Sequence, residues 1–137
     1  MVLAAAKGVI THLDDDDTMD PNRIEILLAA AQKHRADFLW HAFRVQLEDG
    51  NWLTLGNGKL EHGQVGTGSI FYHRYFARIP WDVYAYRASE PGDWNRIRKI
   101  KALRPRLHYN PEALASFFRN FEQVEYRPVP HEHFLDA

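Results

Sequence analysis

The sequence predicts an α/β fold, a mixed sheet with flanking helices, and three observations predict it. A short apolar run, Val9 to Leu13, has the length of a buried strand and ends in four consecutive carboxylates, Asp14 to Asp17. A helical pattern follows at once, with Ile24, Leu27, Leu28 and Ala31 spaced i, i+3, i+4, i+7. Beyond it, strand-like runs broken by glycine turns lead to a second helical pattern after Asp93.

Taken in order, Val2 to Lys7 has the character of a last helical turn, closed by Gly8. Asp20-Pro21 predicts a helix start, with Asp20 as N-cap and Pro21 at the first helical position. That helix runs to His34, and Lys33, His34 and Arg35 suit its C-terminal dipole. Asp37 to Glu48 reads as a strand, although Phe38 and Trp40 blur its alternation. Asp49-Gly50 signals a hairpin, so Asn51 to Leu55 returns antiparallel. Gly56-Asn57-Gly58 is a second turn, and the glycines from Gly63 to Gly68 predict a mobile loop. Ser69 to His73 is a short strand, Arg74 to Ile79 a helical turn, and Trp81 to Ala88 irregular. Asp93 caps a helix whose inner face is Trp94, Ile97, Ile100 and Leu103. Arg106 to Tyr109 is a strand, and Asn110-Pro111 opens a final helix to Asn120. The two prolines after Val124 predict a loosely ordered tail on a single domain spanning 1–137.

A chain of 137 residues can bury one modest core. Its net charge of −1 gives no broad pull toward nucleic acid or an anionic membrane. The absence of cysteine excludes disulfides, thiolate catalysis and Cys-based zinc sites, and fits a reducing cytoplasm. No apolar run approaches the ~20 residues of a membrane span.

The chemistry gathers at Asp14 to Asp17. Four adjacent carboxylates repel one another and are tolerated in water or around a cation. Carboxylate oxygens suit a hard ion, Mg2+ or Mn2+. Ligands of open α/β sheets bind just beyond the carboxyl ends of strands. The plain alternative for the run is a solvated acidic turn. For Trp40, Trp52, Trp81 and Trp94 it is core packing, with Trp81 and Tyr84 the better candidates for an exposed aromatic surface because they lie in an irregular segment. His131-x-His133 has the spacing of a metal pair but falls in the tail. The cations Arg96, Arg98, Lys99, Lys101, Arg104 and Arg106 read as a solvated helix face.

The order of these features resembles family 2 glycosyltransferases with the GT-A fold. Ala6-Lys7-Gly8, the apolar strand, Asp14-Asp15-Asp16-Asp17 and Pro21 are similar to that family's Asp-x-Asp region. Gly66 to Arg74 resembles the strand after its acceptor-side loop. Gly92-Asp93-Trp94 resembles its Gly-Asp-Trp or Glu-Asp-Trp motif at a helix start. The likeness spans Ala4 to Ala115. It implies a partial GT-A, Rossmann-like fold of the nucleotide-diphospho-sugar transferases. It also implies an inverting transfer from a nucleotide-sugar donor to a carbohydrate or other hydroxyl acceptor, with Mn2+ or Mg2+. Under it, Asp14, Asp15 and Asp16 face the donor diphosphate, Asp16 and Asp14 hold the metal, and Asp17 orients its neighbours. Asp93 is the implied catalytic base, with Glu90 its rival, and Trp81, Tyr84 and Trp94 are the acceptor-binding aromatics.

The family begins with a βαβαβ half that binds the nucleotide, on the order of 80–100 residues. This chain is expected to lack most of it, which leaves a sheet edge and apolar surface around Val9, Ile10 and Leu13 open to homo-oligomer formation. The competing expectation is a non-enzymatic remnant of the fold that serves as an interaction or scaffold module. A metal-dependent hydrolase is a weaker third, because no second carboxylate or His motif completes a two-metal site.

Overall fold

The computed structural model describes residues 8–118. The stretches 1–7 and 119–137, with the expected N-terminal helical turn, the tail and the His131-x-His133 pair, lie outside the described residues. Six strands and two helices follow in the order β1 (Val9–Thr11), β2 (Asp17–Met19), α1 (Arg23–His34), β3 (Phe38–Gln46), β4 (Trp52–Leu55), β5 (Ile70–His73), α2 (Gly92–Ala102) and β6 (Leu107–Phe117). They form one mixed sheet in the order β1-β5-β3-β6-β2, with β4 also on β3. No helix among the described residues is long and apolar enough to cross a membrane.

The centre of the sheet is β3. It pairs antiparallel with β5 and β4 and parallel with β6. Its first six residues, Phe38 to Phe43, are all buried, because the sheet is covered on both faces there. Phe38 and Trp40 enter a core with Ile70, Tyr72, Phe76, Ile97 and Ile100 on the α2 side. Leu39 enters a second core with Leu27, Ala31, Phe71 and Leu114 on the α1 side. Two-sided burial is why the alternation of this strand looked blurred. Asp49-Gly50 makes the expected hairpin, with Gly50 at φ +84°.

α1 departs from its expected face and start. Its buried residues are Arg23, Leu27 and Ala31, while Ile24 and Leu28 stay 40% and 37% exposed. The stripe is set by Arg23, which is fully buried. Its Nε donates to His41 Nε2 at 2.9 Å, and its Nη2 donates to the carbonyls of Gly68 and Ile70 at 3.2 Å each. Asn22, not Asp20, is the N-cap, because the Asp20 carboxylate is taken by Arg44 of β3.

The largest departure is β6. A strand followed by a helix was expected, and a single strand of 11 residues is found. The register with β3 passes from His41↔Asn110 to Ala42↔Ala113, so Pro111 and Glu112 are looped out as a bulge. A bulge tolerates a proline that lacks a ladder donor. Asn110 Oδ1 accepts the Glu112 N–H at 3.0 Å, so the expected cap serves the bulge instead of a helix.

The Gly63–Gly68 segment is not a free loop at its end. Gly68 and Ser69 are buried, and Ser69 Oγ exchanges hydrogen bonds with the backbone N–H and C=O of Gly66 at 2.9 Å each. A Cβ on Gly68 would stand 2.7 Å from Cε1 of Phe117. Phe117 is itself stacked on Phe43, with ring centroids 4.8 Å apart, and has little room to retreat. Gly68→Ala is therefore expected to cost about 1–3 kcal/mol of overpacking strain, read as a lower urea midpoint at unchanged m-value.

Burial holds the His41 imidazole down to a pKa of about 4, and Ala42 C=O, accepting from Nδ1 at 2.6 Å, opposes this only in part. An unfolded imidazole titrates near 6.5. Between those values the unfolded chain binds more protons, so stability falls as pH drops from about 6.5 to about 4. Urea titrations at pH 7.5, 6, 5 and 4 should show that loss, and His41→Gln should flatten it. An unchanged slope in the variant would assign the loss to other groups.

Candidate active site

β1, β3 and β6 run in one direction, so their carboxyl ends share an edge of the sheet. The acidic run lies there. The Asp17 N–H donates to Asp14 C=O at 3.1 Å, folding the run into a turn. Asp17 then opens β2 opposite Phe117 of β6 and is half-buried, while Asp14, Asp15 and Asp16 are exposed. Asp14, Asp16 and Asp17 each bring a carboxylate oxygen within 4.8 Å of the others. Asp15 stands outside this group. Burial, then the charges of Asp16 and Asp14, push the Asp17 carboxyl up to about 6. Clustered hard oxygens whose mutual repulsion a cation would relieve fit a Mg2+ or Mn2+ site.

The strand before the run contributes His12. Its Nε2 lies 2.7 Å from the Tyr72 hydroxyl of β5, and that hydroxyl accepts from Arg96 Nη1 at 3.0 Å. Arg96 is buried and donates also to the carbonyls of Ile79 and Phe76 at 3.0 Å each. It is thus neither on a solvated face, as the basic run suggested, nor a partner of Asp93. Its guanidinium lies 4.8 Å from the centre of the Trp81 ring, and His12 meets the same ring edge-on at 6.0 Å. Burial lowers the His12 pKa, with Arg96 adding to this and Asp14 opposing it.

Asp93 sits in the first turn of α2, whose N-cap is Pro91, so it is not the cap. Its Oδ1 accepts the Trp94 N–H at 2.7 Å. Its Oδ2 would lie 3.9 Å from a Cβ placed on Gly66, which would itself be 3.6 Å from the Phe117 ring. Phe117 is thus the register partner of Asp17 and lines the same Gly66 position as Asp93. Glu90 is already engaged: it accepts from Arg98 at 3.0 Å, and that bond lowers its pKa.

The three aromatics separate. Trp81 is 45% exposed and joined to His12 and Arg96. Tyr84 is exposed and carries Arg87 over its ring at 4.1 Å. Trp94 is half-buried against the α2-side core and stacks on His62 at 6.1 Å. Sequence reasoning missed His12, Tyr72 and Phe117, and gave Asp17 a supporting role. Only proximity in the chain to Asp14 could have pointed to His12.

Fold and site together define an α/β protein with an acidic turn beyond the carboxyl ends of its parallel strands. The family model for glycosyl transferase family 2 matches residues 2–120, and the chain belongs to that family. Its mixed sheet and flanking helices agree with a GT-A-like fold. A search of curated proteins gives no match.

The cluster makes a prediction about metal. Asp14→Asn and Asp16→Asn should each weaken Mn2+ binding about tenfold, a loss of ~1.4 kcal/mol, while Asp15→Asn should leave it near wild type. Electron paramagnetic resonance titration of free Mn2+ checks this, and equal affinities for Asp15→Asn and Asp16→Asn would contradict it.

Proposed function

We propose that this family 2 glycosyltransferase moves a sugar from a nucleotide-diphosphate donor to an acceptor hydroxyl with inversion, using a divalent cation held by Asp14 and Asp16. The observation that carries the reading is the cluster of Asp14, Asp16 and Asp17 carboxylate oxygens beyond β1 in a chain of this family. Bound there, Mg2+ or Mn2+ would supply a Lewis acid that neutralises charge on the departing diphosphate.

The chain's own residues do the rest. Asp93 keeps Oδ1 on the Trp94 N–H, which fixes the carboxylate and leaves Oδ2 for the acceptor hydroxyl proton. As Asp93 takes that proton, the acceptor oxygen would bond to the anomeric carbon from the face opposite the diphosphate, whose C–O bond breaks and which leaves as the nucleoside diphosphate, and this gives inversion. Trp81 offers a half-exposed indole to the apolar face of a sugar, steadied by Arg96 and edged by His12. Glu90, already an acceptor for Arg98, is the poorer base.

Substitution separates the two acids. In Asp93→Asn, transfer from donor to acceptor should fall by about 100-fold or more. Its melting temperature should stay close to wild type, since Asn still accepts the Trp94 N–H. Glu90→Gln should turn over at a rate close to wild type. Near-normal transfer in Asp93→Asn, with loss in Glu90→Gln, would move the base to Glu90.

A further inference from the structure

We propose that His12 is a substrate-binding residue: a neutral imidazole, locked in one tautomer by Arg96 and Tyr72, that donates its Nδ1–H to a diphosphate oxygen at the acidic turn. The proposal rests on the reading of that turn as the diphosphate site and adds a residue to it.

The lock follows from counting protons. Arg96 Nη1 can only donate, so the Tyr72 oxygen accepts from it at 3.0 Å. The Tyr72 residue is buried, and its hydroxyl proton needs an acceptor. Among the described residues, the one other group within hydrogen-bonding distance of that oxygen is His12 Nε2, at 2.7 Å. The Tyr72 O–H therefore donates to Nε2. A donating Nε2–H would strand the buried hydroxyl proton without a partner. Nε2 being the acceptor, the ring proton is on Nδ1.

Nδ1–H makes no hydrogen bond among the described residues. His12 is half-buried and two residues before Asp14. A cationic imidazole there would repel a divalent ion on Asp14 and Asp16. A neutral one supplies a donor without that repulsion, which is what an anion shared with a metal requires. Trp81, edge-on to the imidazole with centroids 6.0 Å apart, restricts its rotation. His12 thus stands two residues from Asp14, whose charge it feels, and in edge contact with Trp81.

Two measurements on the full chain test this. Long-range 15N–1H correlation spectra, with His12 assigned by its loss in His12→Asn, should show a protonated Nδ1 and a bare Nε2. Tyr72→Phe, which removes the donor to Nε2, should give a mixture of tautomers. Calorimetry with Mg2+ and inorganic pyrophosphate should then separate two substitutions. The Asn amide can occupy the place of Nδ1–H, and the Gln amide that of Nε2. His12→Asn should bind within about threefold of wild type and His12→Gln about tenfold more weakly; His12→Gln, whose amide oxygen can take the Tyr72 proton, should melt near wild type, and His12→Asn should melt lower while still folded at the temperature of the titration. A protonated Nε2, or equal affinities in both variants, whether retained or lost, would overturn the proposal while leaving the diphosphate site standing. Failure of the wild-type chain to bind magnesium pyrophosphate, with the Nδ1–H tautomer present, would overturn the diphosphate reading and this contact with it.

Discussion

The structure depends on a strand with no free side. β3 is paired along both edges and covered on both faces, and every other element is placed by reference to it. Its parallel partner β6 sets the direction of the site, because parallel strands end at a common edge. β5 lies antiparallel between β3 and β1, which turns β1 to point the same way. The acidic turn at the end of β1 and the end of β6 are thus delivered together by topology, from positions about a hundred residues apart.

Two buried guanidinium groups hold the two sides of that edge, and neither has a carboxylate partner among the described residues. Burying an unpaired charge is costly unless hydrogen bonds replace its water. Arg96 meets the cost with two carbonyls and the Tyr72 hydroxyl, and with the faces of Tyr72 and Trp81. Arg23 uses two carbonyls and a neutral His41, and its Nη1 stays unpartnered. Burial pulls the Arg23 pKa down to about 10, which still leaves it charged at neutral pH. His12 feels both cations and, against them, Asp14.

Much of this was legible. A strand from Val9, the helix to His34, the Asp49-Gly50 hairpin and the helix after Asp93 rest on local signals of apolar period and turn chemistry, although that strand stops at Thr11, is only half-buried and leaves Leu13 exposed. What failed was decided at long range. Asn110-Pro111 is a good helix start in isolation, yet pairing with β3 draws Ala113 to Phe117 into the sheet and absorbs the proline in a bulge. Asp20 is a good N-cap in isolation, yet Arg44 claims its carboxylate. Arg96 looks solvated by composition, and only the fold brings Phe76, Ile79 and Tyr72 around it. In the site, the acidic run and Asp93 could be read, because charge in a row and a helix-start motif are local. His12 could not, because its role depends on the hydroxyl of Tyr72, 60 residues away.

The bulge in β6 has a role beyond accommodating Pro111. Side chains on a strand alternate, so a single extra residue exchanges the faces of everything after it. The register between β3 and β6 gains two residues after His41↔Asn110 and one more between Ala42↔Ala113 and Arg44↔Ser116. The first leaves the facing unchanged, and the second reverses it. Phe117 then stacks on Phe43, fills the space left by the missing Cβ of Gly68, and pairs in register with Asp17. Without the odd residue, that ring would leave Gly68, the turn that abuts Asp93 would lose its seat, and β2 would meet a different side chain. The irregularity of β6 is therefore what sets Phe117 against Phe43 and Gly68 while it pairs with Asp17.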